Sequence, residues 1–247
     1  MTTRREAVKQ IGAIGAGTWH AIRAGRLASS SAPWQGDGGP ALAPGAPMSA
    51  ERRALIDAFT QKSAGLDHAF ESHSFKGEWV MPYRLYRPKA PGRVPLVIYL
   101  HGSGGLGDDN ERQMALGNTF GTRVWALPEN QRRFPCFVAV PQTDRGWVKY
   151  GLPAPGDSVS RPIPGLGDGA ALAFQMIDAL CRDLPIDMRR IYLTGQSMGG
   201  RGTWHMTARR PKFFAAAVAC CPGPTFEPAA ASALTPIWNF HGDADGT

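Results

Sequence analysis

The sequence lacks the features that would place the protein across a membrane, on nucleic acid or around a structural metal. Its apolar runs all fall short of about 18 uncharged residues, so no transmembrane helix is predicted. Its four cysteines lack the spacing of metal ligands, which argues against a zinc-stabilised domain. No internal repeat is visible in the 247 residues, and the apolar share of 43% suffices for the core of one domain.

The positive charge of the chain is concentrated at its N-terminus. The formal net charge is +7, and residues 1–32 carry five basic side chains against one acidic side chain, a net +4. Removing +4 from +7 leaves +3 for the rest, which has no basic stripe interleaved with aromatic residues. We therefore expect no nucleic-acid partner. The charged residues of the terminus are Arg4, Arg5, Glu6, Lys9, Arg23 and Arg26.

The N-terminus resembles a twin-arginine export signal. A hydroxyl residue and a lysine flank Arg4 and Arg5, a Gly-rich apolar stretch follows, and small residues at 30–32 resemble a cleavage site. This interpretation predicts export to the periplasm or out of the cell. It divides the chain into a signal at 1–32, a Pro/Gly/Ala-rich linker at 33–49 and a folded domain at 50–247. Basic residues interrupt the apolar region early, so the alternative is a basic arm on a cytoplasmic protein.

The folded region alternates strand-like and helix-like patterns, which predicts an α/β fold with a mostly parallel sheet flanked by helices. Short β-rich apolar runs are typical of strands that are buried on both faces. The predicted strands are 78–87, 96–100, 136–140, 190–194, 215–221 and 236–240. The predicted helices, from apolar residues at helical spacing, are 51–64, 169–184 and 198–210.

One strand end carries the pattern of a serine nucleophile. The run at 190–194 is followed by Gly195-Gln196-Ser197-Met198-Gly199 and then by a predicted helix. In this strand–turn–helix context the turn is so tight that only small residues fit two positions before and after the serine, whose hydroxyl is left exposed. The alternative is an ordinary Gly-rich turn.

Two further strand ends carry complementary groups. His101-Gly102-Ser103-Gly104-Gly105 follows the run at 96–100, and a Gly-rich turn there leaves backbone N–H groups pointing outward. The N–H of Ser103, or that of Gly104, together with the N–H of Met198 would form an oxyanion hole. An acidic turn, His241-Gly242-Asp243-Ala244-Asp245, follows the run at 236–240. An acid at such a strand end is placed to orient a histidine.

These strand ends, in the order HGSGG, GQSMGG and HGDAD, resemble the α/β-hydrolase fold. More narrowly, the chain resembles the bacterial esterases grouped as carboxylesterases, phospholipase-like esterases, polyhydroxybutyrate-depolymerase-like esterases and feruloyl esterases. The stretches MPYRLYRP at 81–88 and GDDNER at 107–112 also resemble that group, and the match covers about residues 70–247. The resemblance implies ester hydrolysis through an acyl-enzyme on Ser197, with Asp245 rather than Asp243 as the acid.

The histidine of that group has no counterpart in the sequence. The order on this fold is serine, acid, histidine, and no histidine follows Asp245. The resemblance makes His101 and His241 structural, and His205 lies about 12 Å from Ser197 along the predicted helix. We therefore expect a C-terminally truncated piece of a longer enzyme, whose fold lacks the last strand and helix. The alternative is a genuine shortened chain without its base.

Residues outside the predicted triad have two interpretations each. Trp147, in the long aperiodic segment 143–168, lines a substrate pocket or anchors that segment to the body. The segment itself caps the active site or is a solvated insertion. The carboxylates at 108–111 are explained by helix capping rather than by a metal. Cys136, Cys220 and Cys221 lie in apolar, strand-like runs and are expected to be buried free thiols, with a disulfide as the alternative if the protein is exported.

The resemblance therefore implies a serine carboxylesterase that needs no cofactor or metal and acts on a small-molecule or carbohydrate-linked ester. Two alternatives remain open. The first keeps the fold and cleaves a peptide bond, as a serine peptidase of the prolyl-oligopeptidase type. The second is a noncatalytic α/β-hydrolase scaffold that binds carbohydrate.

Overall fold

The computed structural model describes residues 48–149, 167–223, 229–242 and Asp245, together with the two-residue strand His20–Ala21. The rest of the predicted export signal, most of the predicted linker and residues 150–166 of the long segment lie outside the described residues. No helix among the described residues is long and apolar enough to cross a membrane. The division of the chain at 1–32, 33–49 and 50–247 stays a prediction.

One sheet organises the described part of the chain. Its strands are β1 (Phe70–Lys76), β2 (Val80–Tyr86), β3 (Val94–Leu100), β4 (Phe137–Pro141), β5 (Ile186–Gln196), β6 (Ala216–Cys220) and β7 (Ile237–Phe240). Their order in the sheet is β1-β2-β4-β3-β5-β6-β7, and His20–Ala21 pairs antiparallel with β7. Pairing is antiparallel from β1 to β2 and from β2 to β4, and parallel between the other neighbours as far as β7.

Helices flank this sheet, as the sequence predicts. They are α1 (Ala50–Lys62), α2 (Thr119–Arg123), α3 (Pro128–Arg133), α4 (Gly169–Asp183), α5 (Met198–Arg209) and α6 (Ala229–Ser232). Within the described ranges, short 3-10 turns lie at Leu66–Ala69, Ser103–Gly105, Arg112–Met114, Leu116–Asn118 and Val124–Ala126. The predicted fold class, a mostly parallel sheet between helices, is confirmed.

The core has two layers because successive residues of a strand face opposite sides of the sheet. In β3, Leu96, Ile98 and Leu100 belong to a layer that α4 and α5 cover. Val97 and Tyr99 belong to a second layer, covered by residues of the 112–133 region. This arrangement explains why the central strands read as continuous apolar runs.

The first strand of the sheet, β1, was not predicted from the sequence. β1 is exposed or half-buried at every position except Phe70, so its sequence lacks an apolar stripe. It is held by its hairpin partner β2, which itself begins at Val80 rather than at the predicted position 78. The helical turns between β3 and β4 are too short to show a helical period.

The two-sided burial of β3 predicts a large loss of stability on truncation of Ile98. Ile98 is 0% exposed, whereas Met188 on β5 is 60% exposed. Ile98→Ala should lower the free energy of unfolding by about 3 kcal/mol, because it leaves a cavity in a packed core. Met188→Ala should change the free energy of unfolding by less than about 0.5 kcal/mol. Urea denaturation measures both, and an equal effect of the two changes would contradict the two-layer core.

Candidate active site

Ser197 occupies the turn between β5 and α5. The strand ends at Gln196 and the helix begins at Met198, so the serine alone makes the connection. Its backbone has φ 52 and ψ −119, a conformation that side-chain-bearing residues rarely adopt. Such strain persists only where the surrounding structure enforces it, and it is concentrated at functional sites. The Ser197 side chain is exposed, as a nucleophile requires.

The backbone around Ser197 leaves no room for side chains at two positions. A Cβ built on Gly195 would lie 2.9 Å from the carbonyl oxygen of Leu100 and closer still to the backbone of Gly199. A Cβ built on Gly199 would lie 2.8 Å from the carbonyl oxygen of His101 and would overlap the Leu100 carbonyl. The sequence-based expectation that only small residues fit at these two positions is confirmed.

Two backbone hydrogen bonds hold Ser197 in its strained conformation. Its N–H donates to the carbonyl oxygen of Cys220 at 2.8 Å, which joins the turn to the end of β6. Its own carbonyl accepts from the N–H of Arg201 at 3.0 Å, the first such bond of α5. The hydroxyl, in contrast, makes no hydrogen bond to any residue that the structure describes.

No described histidine is bonded to that hydroxyl. His68 lies in the 3-10 turn before β1, and His73 on β1 bonds Glu71 at 2.9 Å. His205 is buried within α5. His241 bonds the carbonyl oxygens of Gly242 and Pro222. His101 is bonded to backbone groups.

The turn predicted to supply the oxyanion hole comprises Gly102 and the 3-10 turn Ser103–Gly105. This oxyanion turn lies against Ser197. Ser103 begins the 3-10 turn that directly follows β3. A Cβ built on the neighbouring Gly102 would be 3.6 Å from the Cβ of Ser197. The N–H groups of Ser103 and Met198 donate to no other group among the described residues, so both are available to an oxyanion. Their role in catalysis stays a prediction.

Asn118 holds the oxyanion turn through its side chain. The sequence did not predict this role. Its buried side-chain oxygen accepts from the N–H of Gly102 at 2.9 Å and from the hydroxyl of Tyr99 at 3.3 Å. Its side-chain amide donates to the carbonyl oxygen of Arg112 at 3.3 Å. Asn118 precedes α2 but makes no side-chain cap, since these bonds occupy it. No local sequence pattern marks such a contact.

His101 fixes the same turn from the other side and is structural, as the resemblance implied. Its Nδ1 donates to the carbonyl oxygen of Gly102 at 2.7 Å, which leaves Nε2 to accept from the N–H of Thr143 at 3.2 Å. Both bonds require the neutral ring with its proton on Nδ1. Burial lowers the pKa of His101 to about 4, although its bond to Gly102 partly opposes that shift.

The prediction that Trp147 lines a substrate pocket is wrong, because its side chain is 0% exposed. Its indole N–H donates to the carbonyl oxygen of His101 at 2.9 Å, and its ring packs 4.9 Å from the His101 ring. A Cβ on Gly202 would lie 2.7 Å from that of Trp147. The alternative interpretation holds: Trp147 anchors the start of the long segment to the body, beneath the oxyanion turn.

Asp245 lies past the end of β7. Its N–H donates to the carbonyl oxygen of Gly242 at 3.2 Å, and its carboxylate lies 3.7 Å from Nδ1 of His241. Cys221 stands beside it at the end of β6, with its N–H bonded to the carbonyl oxygen of Phe240. Burial, with the neighbouring Asp245 carboxylate, raises the pKa of the Cys221 thiol. Asp243 lies outside the described residues.

The four cysteines are free, but they are not all buried as expected. Cys221 is exposed and Cys220 is half-buried, because β6 ends at Cys220 and the chain turns to the surface. Burial raises the pKa of Cys136 to about 12 and that of Cys220 to about 11, so neither is a thiolate near neutral pH.

The carboxylates at 108–111 cap a turn. Asp109 accepts from the N–H groups of Glu111 at 2.9 Å and Arg112 at 3.0 Å, at the start of a 3-10 turn. Burial alone would raise the pKa of Asp109, but these bonds and one from Gln142 lower it to about 2. Within the described ranges, no cluster of three or more His, Cys, Asp or Glu side chains is arranged to hold a metal ion.

These features define the class of protein. The strand order, together with a strained serine between a parallel strand and a helix, is that of the α/β-hydrolase fold. A solved structure entitled "Crystal Structure of a Thermostable Esterase" superposes on the chain with a TM-score of 0.64 and 34% sequence identity. The superposition covers 74% of this chain and 48% of that one.

Two curated proteins that are similar to the chain in sequence are named as esterases. The chain is 29% identical over 221 residues to "Putative esterase NocK" of Nocardia uniformis subsp. tsuyamanensis, across 83% of this chain and 57% of that protein. It is 35% identical over 71 residues to "Bifunctional acetylxylan esterase/xylanase XynS20E" of Neocallimastix patriciarum, across 29% of this chain and 11% of that protein. No family model matches the chain. The chain has the α/β-hydrolase fold and is similar to esterases of that fold. It spans 57% of the length of NocK and 48% of that of the thermostable esterase.

The buried neutral His101 predicts a pH-dependent stability. Its pKa is about 4 in the folded protein against 6.5 for the ordinary group, so the unfolded chain binds the extra proton between these values. The free energy of unfolding should therefore fall as pH decreases from about 6.5 to 4, by an amount on the order of 3 kcal/mol from this one group.

Urea denaturation of the parent and of His101→Gln across that pH range measures the effect. The variant should be less stable at pH 7 and should lose less stability on acidification, because glutamine does not titrate. Parallel pH profiles for the two proteins would contradict a buried neutral His101.

Proposed function

We propose that this chain is the catalytic α/β-hydrolase domain of a serine carboxylesterase, in which Ser197 is the nucleophile. The observation that carries the proposal is the enforced conformation of Ser197, which is exposed between β5 and α5. The N–H groups of Met198 and Ser103 donate to no described residue and are available beside it. The similarity to esterases named as such supports ester rather than peptide chemistry.

The proposed reaction runs through an acyl-enzyme. The Ser197 Oγ attacks the ester carbonyl carbon while a histidine takes its proton, and the carbonyl oxygen becomes an oxyanion held by the N–H groups of Ser103 and Met198. The histidine then gives its proton to the departing alcohol, which leaves the acyl group on Ser197. Water repeats the sequence and releases the carboxylic acid.

The mechanism requires a histidine that reaches both Ser197 and Asp245. None of the described histidines bonds Ser197, and Asp245 is exposed at the end of β7. We propose that a residue outside the described part of the protein supplies this base, oriented by Asp245. The chain spans 57% of NocK and 48% of the thermostable esterase, so both relatives have further residues to supply such a group.

The substrate class follows from the same similarity. The bifunctional relative is named as an acetylxylan esterase, so we include carbohydrate-linked esters beside small-molecule esters in the proposed range. The proposed reaction uses a serine, a histidine and backbone N–H groups, and it requires no metal or cofactor. Export through a twin-arginine signal at 1–32 is proposed on the sequence pattern alone. A serine peptidase and a noncatalytic carbohydrate-binding scaffold are the alternatives that the following assay separates.

Replacement of Ser197 tests the proposal. In protein made from the uninterrupted reading frame that encodes these residues, Ser197→Ala should lower kcat/KM for p-nitrophenyl acetate by about a thousandfold or more, because the acyl-enzyme is lost. Ser74→Ala is the matched control, since Ser74 is exposed on β1, and should retain activity.

The outcomes separate the alternatives. Activity retained in Ser197→Ala would overturn the nucleophile assignment. Preference for a peptide p-nitroanilide over the ester would favour the peptidase. No hydrolysis by the parent, together with binding of oligosaccharide, would favour the scaffold.

A further inference from the structure

We propose that Leu116 is a specificity-determining residue, which contacts the apolar acyl or alcohol group of the ester. The inference rests on the proposed esterase function and adds the substrate chemistry: an ester with an apolar group of several carbons rather than a bare acetyl ester of a polar alcohol. It is carried by the exposure, backbone conformation and position of this leucine.

Leu116 is the most exposed large hydrophobic residue among those that the structure describes, at 79%. Its backbone has φ 51, in the left-handed region that leucine rarely adopts and that glycine or asparagine occupies more readily. An apolar side chain in a strained backbone stabilises neither the core nor the turn. Enforced strain of this kind is concentrated at sites with a function.

Leu116 belongs to a segment that touches both parts of the proposed site. The next residue, Gly117, lies so close to Gln196 that a Cβ on it would be 3.1 Å from Nε2 of that side chain. Gln196 immediately precedes the nucleophile. Asn118, two residues from Leu116, holds the N–H of Gly102 at the start of the oxyanion turn. The segment 115–118 therefore forms one rim of the site where the ester must bind.

This rim is fixed before any substrate arrives. Met114 on one side is 5% exposed and Asn118 on the other is 2% exposed, so the segment is anchored at both ends. A hydrogen bond from the N–H of Asn118 to the carbonyl oxygen of Ala115, at 3.0 Å, closes the 3-10 turn. A ligand that covers Leu116 removes its apolar surface from water without first ordering the chain, which favours binding of an apolar group.

The experiment compares substrates that differ only in apolar length. One series varies the acyl group, from p-nitrophenyl acetate to p-nitrophenyl hexanoate, and the other varies the alcohol, from ethyl acetate to hexyl acetate. Leu116→Asn removes the apolar surface and suits the left-handed backbone, and Leu116→Met retains an apolar side chain. Leu55→Asn is the control, because Leu55 is 60% exposed on α1, a helix with no buried residue.

In Leu116→Asn the ratio of kcat/KM for the long ester to that for the short ester should fall by about three- to tenfold in one of the two series. The series in which it falls identifies the acyl or the alcohol group as the one that contacts Leu116. The melting temperature of Leu116→Asn should be equal to or above that of the parent, because asparagine adopts the left-handed backbone more readily than leucine. Leu116→Met should keep most of the parental ratio.

Each other result has a distinct meaning. An active Leu116→Asn enzyme with the parental ratio in both series would overturn the role of Leu116 and leave the esterase proposal intact. The same shift in Leu55→Asn would overturn it as well, since the effect would not be local. A parent with no activity on any ester would overturn the proposed function and this inference with it.

Discussion

The close approach of three backbone segments at Ser197 is the constraint on which the rest of the site depends. The ends of β3 and β5 and the start of α5 meet so tightly that Gly195 and Gly199 leave no space for a Cβ, and the Leu100 carbonyl oxygen is part of the contact in both cases. The strained conformation of the serine follows from this packing. The turn that starts at Gly102 lies against the serine, since a Cβ on Gly102 would be 3.6 Å from the Cβ of Ser197.

The oxyanion turn is held by buried groups on both sides rather than by its own glycines. Asn118 accepts the N–H of Gly102, and His101 donates to the carbonyl oxygen of the same residue. His101 in turn accepts the N–H of Thr143, and its carbonyl accepts the indole of Trp147. The chain after β4 is thereby fastened under the turn. Because each of these groups is buried and bonded, loss of one leaves another unsatisfied, which makes the support cooperative.

The sequence predicted the parts of this arrangement that are local. The alternation of apolar runs and helical patterns predicted the sheet and the helices α4 and α5, because their periods are read within one element. The glycines around Ser197 were predictable because the tight turn itself forbids side chains. β1 was not predictable, because its mostly exposed side chains show no apolar alternation. Its position depends on its pairing with β2.

The support of the site was not predictable for a related reason. Asn118 meets Gly102 across 16 residues, and Trp147 meets His101 across 46, so no spacing rule connects them. The sequence was equally consistent with Trp147 as a pocket residue and as an anchor. Its complete burial and its hydrogen bond to the His101 carbonyl oxygen favour the anchor. The roles of Ser197, Asp245, Ser103 and Met198 remain chemical predictions placed on a confirmed fold.

The most direct measurement is the reaction of the protein, made from its uninterrupted reading frame, with a fluorophosphonate, followed by peptide mapping of the adduct. The account predicts one phosphonyl group per chain, attached to Oγ of Ser197, and no adduct after prior denaturation. Labelling at another residue, or no labelling of the folded protein, would contradict the assignment of Ser197 as an activated nucleophile.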